Sequence, residues 1–376
     1  MCAVNRRLLA TATVALTLLA AACSSEANTA ASVTVVSSDA AGTTMPSTET
    51  DPTAADSTVP DTSTPDTSIP DTTMVDTTSP AGPVTIKPAV APIGEHLAAA
   101  ITTPDGRVRT YELYVPTTLP EGPVPLVVAL HGGTGWGKQF ERNSGLDGLA
   151  EANGFLVVFP DGVGAGPTES DRRTWNAGYC CGAAARENVD DVAFIDQLLD
   201  TIGAEYDVDP SRTFATGHSN GGMLSYRLAC ELSDRFAAVA LQAGSLGVEP
   251  CEPELPVSLL HIHGTADTNH PIDGGFGDGL ANVDFRSANE SVTLVARADG
   301  CEGNAIVAVD AVNLDLMATF WNDCDAGAVV ELVTVAGASH AWMGHTPSNP
   351  AATPAYMELD ASVTVLQFLF EHPRAA

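Results

Sequence analysis

The sequence predicts an α/β fold over residues 91–376, a mostly parallel, doubly wound sheet flanked by helices. Three observations carry this. Short, β-branched apolar runs bounded by Gly or Pro alternate with stretches of helical period. The runs are apolar at consecutive positions, as strands covered on both faces are. One of them, 213–216 (TFAT), passes through a glycine-rich turn straight into a helical pattern.

Along the chain, 107–115 is expected as an antiparallel addition at the sheet edge. Segments 124–130 (VPLVVAL) and 155–159 (FLVVF) are expected as buried strands. A helix is expected over 189–206. Asn188 supplies its N-cap, Asp190 and Asp191 lie in its first turn, and Val192, Ile195, Leu198, Leu199 and Ile202 form its apolar face. Strands at 213–216, 237–242, 257–263 and 329–335 and helices at 224–232 and 356–370 complete the pattern. Such alternation, with right-handed crossovers, winds helices onto both faces of a parallel sheet.

The front of the 376-residue chain lies outside that domain. Residues 1–23 read as a targeting signal. Arg6 and Arg7 precede an uncharged run, 8–22, shorter than the about 20 apolar residues of a membrane span. The run ends in Ala20-Ala21-Ala22-Cys23, which resembles the lipobox of bacterial lipoproteins and makes Cys23 a candidate lipidation site. Ala20 stands where that motif usually has Leu, so plain cleavage and secretion is the alternative. Residues 24–90 contain no aromatic residue and repeat Pro-Asp-Thr at Pro60, Pro65 and Pro70. A segment of this composition buries too little apolar area to offset its chain entropy and is expected as an extended stalk.

The chain carries 47 Asp and Glu against 16 Lys and Arg, a net charge of −31, and most of the acids follow residue 90. This excess argues against nucleic-acid and anionic-membrane partners, leaving a lipid at the N-terminus as the membrane contact. It also fits a surface kept soluble at high ionic strength. A monomer is expected.

Chemistry concentrates at Gly217-His218-Ser219-Asn220-Gly221, a G-x-S-x-G turn with a strand before it and a helix after it. A strained strand-to-helix turn lifts the Ser219 hydroxyl above the sheet, and a side chain at 217 or 221 would collide with neighbouring backbone. The following helix aims its N-terminus at the site, so the Asn220 amide is expected in an oxyanion hole. A serine nucleophile needs a base oriented by a carboxylate, in the chain order Ser, Asp or Glu, His for this turn type. Of His270, His340, His345 and His372, His340 follows a strand and a turn and is the expected base. Asp267 ends the strand at 257–263 and is the expected acid, with Asp273, Asp278 and Asp284 farther into the loop. The loop His131-Gly132-Gly133-Thr134 is expected to give the second oxyanion donor from Gly133, with Thr134 the close alternative.

Together these residues, with LHGG (130–133), VVFPDG (157–162), WNAGYCCG (175–182), VDDVAFIDQLLD (189–200), HIHGTAD (261–267), WNDC (321–324) and VAGASHAW (335–342), resemble the polyhydroxybutyrate depolymerase-like family of α/β-hydrolases, which also contains feruloyl and acetylxylan esterases. The resemblance covers nearly all of residues 105–370. It implies an α/β-hydrolase fold and a secreted serine carboxylesterase with Ser219, Asp267 and His340 as triad, no metal or other cofactor, and disulfide support. Its substrates would be short-chain polyesters, polymer or oligomer, or feruloyl and acetyl esters of polysaccharides. Family members often carry a tryptophan early in the helix after the triad Asp; residues 285–292 contain none. A serine peptidase of the same fold and a non-catalytic envelope lipoprotein are the competing classes.

Other features have plainer readings. His261 and His263 share one face of a strand and are expected as core histidines in place of metal ligands. The run 273–279 lacks the spacing of a calcium repeat and is expected as a rim loop. Trp136, Trp175 and Trp342, with Tyr179, fall on loops at the expected catalytic face. They are candidate substrate-binding aromatics, with core packing the alternative for each. Beyond Cys2 and Cys23, the even set Cys180, Cys181, Cys230, Cys251, Cys301 and Cys324 suggests disulfides in an exported chain. Cys301 is expected to pair with Cys324, and Cys180 and Cys181 each with a cysteine elsewhere in the chain, a vicinal bridge between the two being the alternative.

Overall fold

The computed structural model describes residues 84–164, 172–347 and 354–375. The expected signal, Cys23 and most of the stalk lie outside them. Residues 84–90, by composition part of the stalk, instead lie along the domain. The Lys87 amide donates to Asn153 Oδ1 at 2.8 Å, the Val90 amide donates to the Gly148 carbonyl at 3.1 Å, and Ile86 packs against the core.

In chain order the elements are β1 (Glu95–Thr102), β2 (Val108–Val115), β3 (Val124–Leu130), α1 (Gly137–Ser144), α2 (Leu146–Asn153), β4 (Leu156–Pro160), α3 (Gly182–Arg186), α4 (Asp191–Glu205) and β5 (Val208–His218). There follow α5 (Asn220–Glu231), β6 (Ala238–Gln242), β7 (Ser258–Gly264), β8 (Gly275–Phe276), β9 (Asp284–Phe285), α6 (Ala288–Ala298), β10 (Ile306–Val309), β11 (Leu316–Trp321), β12 (Val330–Val335) and α7 (Ala361–Glu371). Apart from the small β8–β9 pair, the strands form one ten-stranded sheet in the order β1-β2-β4-β3-β5-β6-β7-β12-β11-β10. Strands β4 to β12 of that order run parallel, and antiparallel pairs close both ends. The chain passes from β3 to β4 on one side and then to β5 on the other. The carboxyl ends of β3 and β5 therefore flank the crevice where such sheets bind ligands.

Successive side chains of β3 go to opposite faces, which explains its uninterrupted apolar run. Leu126, Val128 and Leu130 pack with Phe194 and Leu198 of α4 and Leu224 and Leu228 of α5, whereas Val127 and Ala129 pack with Phe140 of α1, Leu149 of α2 and Leu366 of α7. Several expectations shift. The 107–115 strand is antiparallel but is not the edge, because β1 (EHLAAAIT), too poor in β-branched residues to stand out, pairs along its whole length. Strands β10 and β11 extend the other end. Helix α4 is capped by Asp190, whose Oδ1 accepts the Ala193 amide at 3.0 Å, and not by Asn188, which has a left-handed φ of 48°. Helix α7 starts at Ala361, not 356, because Asp360 Oδ1 accepts the amides of Ser362 and Val363 at 3.0 and 3.1 Å.

The disulfides are Cys230–Cys251, Cys301–Cys324 and, contrary to expectation, the adjacent pair Cys180–Cys181. With the other four cysteines of the domain paired among themselves, no further partner remains for Cys180 and Cys181 among the described residues. Closing sequence separations of 21 and 23 residues contributes roughly 3 kcal/mol for each of the two longer links.

Asp299 at the end of α6 gives the fold a pH dependence. It is buried, its Oδ1 accepts the Val257 amide at 3.4 Å, and its Oδ2 has no partner. Burial, reinforced by the Asp325 carboxylate, pushes its pKa from 3.8 up to about 7. Between these values the folded state holds a proton that the unfolded chain releases, so this group's contribution to stability falls as pH rises through that window. Asp299→Asn is therefore expected to match the wild type at pH 4 and to exceed it at pH 8 by up to about 4 kcal/mol. Urea unfolding at the two pH values checks this; a variant less stable at pH 8 would refute it.

Candidate active site

Strand β5 ends at His218 and α5 begins at Asn220, leaving Ser219 alone at the turn with φ 55° and ψ −119°. A non-glycine residue held there costs on the order of 1–3 kcal/mol and persists only when its surroundings over-determine it. Here the Ser219 amide donates to the Gln242 carbonyl on β6 at 2.9 Å. The glycines permit close approach. A Cβ on Gly221 would lie 2.2 Å from the Leu130 carbonyl oxygen and 2.6 Å from that of His131, and one on Gly217 would lie 2.4 Å from the Gly221 backbone. Because these obstacles are backbone atoms of the central strands, Gly221→Ala is expected to cost about 3 kcal/mol or more. Thermal unfolding checks this; an unchanged Tm would contradict it.

His340 lies beyond β12, where the turn returns it over the sheet. Its Nε2 is 2.9 Å from Ser219 Oγ and its Nδ1 2.7 Å from Asp267 Oδ2. Nδ1–H donates to the carboxylate, so Nε2 accepts from the serine hydroxyl. Asp267 is buried, and its Oδ1 accepts the amides of Asn269 and His270, both at 2.9 Å. Burial alone would raise its pKa, but hydrogen bonds from His263 and His340 hold the carboxyl well below the usual carboxylate range. The other candidates go elsewhere. His270 stacks on Phe285 at 3.9 Å, His345 meets Asp360 at 3.2 Å, and His372 donates to the Phe368 carbonyl at 2.8 Å.

The loop from His131 to Thr134 is braced from below. The Thr134 amide donates to the Arg173 carbonyl at 2.8 Å and is thereby committed; Gly133 and Thr134 both line the cleft. Asn220 opens α5, where the first amides lack intrahelical partners and the helix dipole favours negative charge. Its side chain grips Trp175: Oδ1 accepts the Trp175 amide at 2.7 Å, and Nδ2 donates to the Trp175 carbonyl at 3.1 Å. Trp175 Nε1 in turn donates to the His131 carbonyl at 2.9 Å. His131 Nε2 accepts the Gly162 amide at 2.9 Å, while Nδ1–H donates to the Gly132 carbonyl at 2.8 Å. Burial pushes His131 down to about 4, so it stays neutral and this pattern persists at neutral pH.

The structure takes the core-packing alternative for Trp175, whereas Trp342, though packed into the core, also lines a second cavity of about 230 Å³ beside Gly133 and His340. Trp175 is fully buried with its ring N–H spent on the loop from His131 to Thr134. Trp342 is buried edge-on against Phe140, its Nε1 donating to Ser362 Oγ at 2.9 Å. Trp136 is half-buried near Arg142. Ser219 and His340 open into a cleft of about 890 Å³ that none of the three lines; Met223, Leu280 and Phe285 supply its apolar surface, and Arg172, Arg186 and Asp278 its charges. Packing between layers claims large aromatics for the core, and loop position in the sequence does not reveal this.

Two residues that sequence reasoning missed hold His340 in place. His218 Nε2 donates to the His340 carbonyl at 2.7 Å; burial, then the neighbouring His340, pushes its pKa down to about 3, keeping it neutral. Gln242 donates to the Ala341 carbonyl at 2.8 Å and accepts the Met343 amide at 3.0 Å. His218 occupies a variable position of the serine motif, and Gln242 merely ends a strand, so neither carried a signal. His261 and His263 bond to one another at 2.9 Å within the core. The one group of metal-ligating side chains among the described residues, His96, Glu141 and Asp147, does not line the cleft.

Residues 103–323 match the family described as "Putative esterase". The chain is 34% identical over 285 residues to the putative esterase NocK of Nocardia uniformis subsp. tsuyamanensis, covering 70% of this chain and 80% of NocK. It is 31% identical over 224 residues to feruloyl esterase B of Piromyces equi, covering 58% of this chain but only 39% of that longer protein. The acetyl xylan esterase from Aspergillus awamori shares the fold, with a TM-score of 0.50 at 18% identity over 69% of this chain and 97% of that one.

Proposed function

We infer the mechanism from one premise: the chain belongs to the esterase family of feruloyl esterase-like α/β-hydrolases and is a carboxylic ester hydrolase. In this reading Ser219 Oγ attacks the ester carbonyl while His340 Nε2 takes its proton. The tetrahedral oxyanion is met by the amides of Gly133 and Asn220. Collapse expels the alcohol, which receives the proton from His340, and leaves an acyl-Ser219 ester. A water deprotonated by His340 then attacks that ester, and the acid leaves with Ser219 restored. Asp267 remains ionised throughout and holds the imidazole tautomer. The observation that carries the reading is the continuous contact Asp267–His340–Ser219 at 2.7 and 2.9 Å. Labelling by a fluorophosphonate probe tests it: the wild type is expected to be labelled and Ser219→Ala not, and equal labelling of both would overturn it.

The proposed substrates are short-chain polyesters of the hydroxybutyrate type or feruloyl and acetyl esters of polysaccharides. The relatives named as feruloyl and acetylxylan esterases support the second group. A panel of p-nitrophenyl esters of increasing acyl length, with methyl ferulate and hydroxybutyrate oligomers, separates them; preference for chains above about eight carbons would count against both. We further propose that the enzyme is exported, by the signal at 1–23, and held at the cell surface through Cys23 on the stalk. Disulfide support agrees with an extracellular site. Metabolic labelling with a fatty-acid analogue, lost in Cys23→Ala, is the expected result.

A further inference from the structure

The triad does not end at Asp267. Behind it, on β7 and α5, lies a buried chain of side chains that the mechanism above does not use. Tyr226 OH is 2.9 Å from His261 Nδ1, His261 Nε2 is 2.9 Å from His263 Nδ1, and His263 Nε2 is 2.8 Å from the His270 carbonyl and 3.5 Å from Asp267 Oδ2. Tyr226, His261 and His263 are each 0% exposed.

Counting donors gives this chain a direction. The His270 carbonyl and the Asp267 carboxylate can only accept, so His263 Nε2 carries a proton. With His263 neutral, its Nδ1 must accept, which places the His261 proton on Nε2. His261 Nδ1 then accepts from the Tyr226 hydroxyl. Every N–H and O–H points toward Asp267, and reversing any link would set two lone pairs or two hydrogens face to face in a dry interior. Burial holds His261 well below its ordinary pKa, in agreement with a single proton on that ring.

We propose that Tyr226, His261 and His263 are positioning residues for ester hydrolysis: a one-way hydrogen-bonded chain that fixes the His263 Nε2–H tautomer, so that this N–H and the Asn269 and His270 amides hold Asp267 aimed at His340. The proposal rests on the triad reading above. Its physical content is that part of the Asp267 charge is neutralised from behind. Removing the His263 N–H leaves a stronger bare charge beside His340, which stabilises the imidazolium and raises the pH at which the base becomes active. The titratable groups facing His263 are His261, His270, Asp267 and His218, and of these Asp267 is the acid held ionised.

The test compares His263→Leu, His263→Gln and Tyr226→Phe with the full-length wild type, reading kcat and KM against pH together with Tm. His263→Leu is expected to lower kcat on the order of 10- to 100-fold with KM within about twofold, and to move the acid limb of kcat/KM to higher pH. His263→Gln, whose amide offers both an acceptor and a donor, should recover kcat to within about threefold of wild type and restore the limb. Tyr226→Phe, which loses one oxygen, should move the limb in the same direction by less. If His263→Leu cannot be folded, the Tyr226→Phe limb decides. An unmoved limb in folded variants, or equal damage from Gln and Leu, overturns the proposal. Fluorophosphonate labelling of wild-type Ser219 in the same preparations separates that outcome from a failure of the triad itself.

Discussion

Ser219→Ala is expected to lower kcat by on the order of 10⁴-fold or more with the fold intact. The substitution removes one oxygen from a side chain at the mouth of the cleft. It leaves the turn held by the Ser219 amide to the Gln242 carbonyl and by the close approach of Gly221 to β3. Alanine must adopt the same φ of 55°, so the strain is carried over, not relieved. What disappears is the covalent route. The Gly133 and Asn220 amides and the cleft remain, and such a remnant retains roughly 10³- to 10⁴-fold over water in enzymes that lose the nucleophile. The decisive measurement is kcat on p-nitrophenyl acetate beside a thermal unfolding curve. Turnover above one-hundredth of wild type, with Tm unchanged, would show that another residue attacks the ester.

Asp267→Asn is expected to cost a similar amount, on the order of 10⁴-fold in kcat, by trapping the wrong tautomer. The orientation of the new amide is dictated by its surroundings. The Oδ1 position receives the Asn269 and His270 amides, so it must remain oxygen, and the NH₂ group falls where Oδ2 now meets His340 Nδ1. Nδ1 is then forced to accept, the proton moves to Nε2, and Nε2 can no longer take the proton of Ser219. The same NH₂ faces the His263 Nε2–H at 3.5 Å, an opposition of donors that adds to the loss. Steady-state kinetics with ring-nitrogen NMR of His340 checks both parts; an Nδ1-protonated imidazole in the variant would refute the account. Because hydrogen bonds hold Asp267 well below the ordinary carboxylate range, its own titration is not expected to appear in the wild-type acid limb.

Legibility in the sequence followed the range of the physics. Gly217 and Gly221 mark the serine turn because a strand-to-helix reversal within a few residues leaves no room for a Cβ, at 217 against the Gly221 backbone and at 221 against the carbonyls at the end of β3, and that constraint is written where it acts. The parallel strands were readable for a similar reason: burial on both faces demands consecutive apolar residues, as in β3. Strands β1, β10 and β11 were not, because strands at or next to a sheet end are stabilised by pairing with their neighbours more than by their own composition.

The amino-acid sequence by itself determined the fold class, the serine turn and the loop His131 to Thr134 facing it, since each depends on residues adjacent in the chain. Only the tertiary structure brought His340 to Ser219 across 121 residues and tied the Thr134 amide to the Arg173 carbonyl. It also decided that Trp175 braces the loop from His131 to Thr134 from the core, that Cys180 bonds to Cys181, and that three buried side chains stand behind Asp267. Those outcomes depend on distances set by the packing of two helical layers against one sheet. Packing sums many weak contacts from remote parts of the chain, and no local pattern encodes that sum.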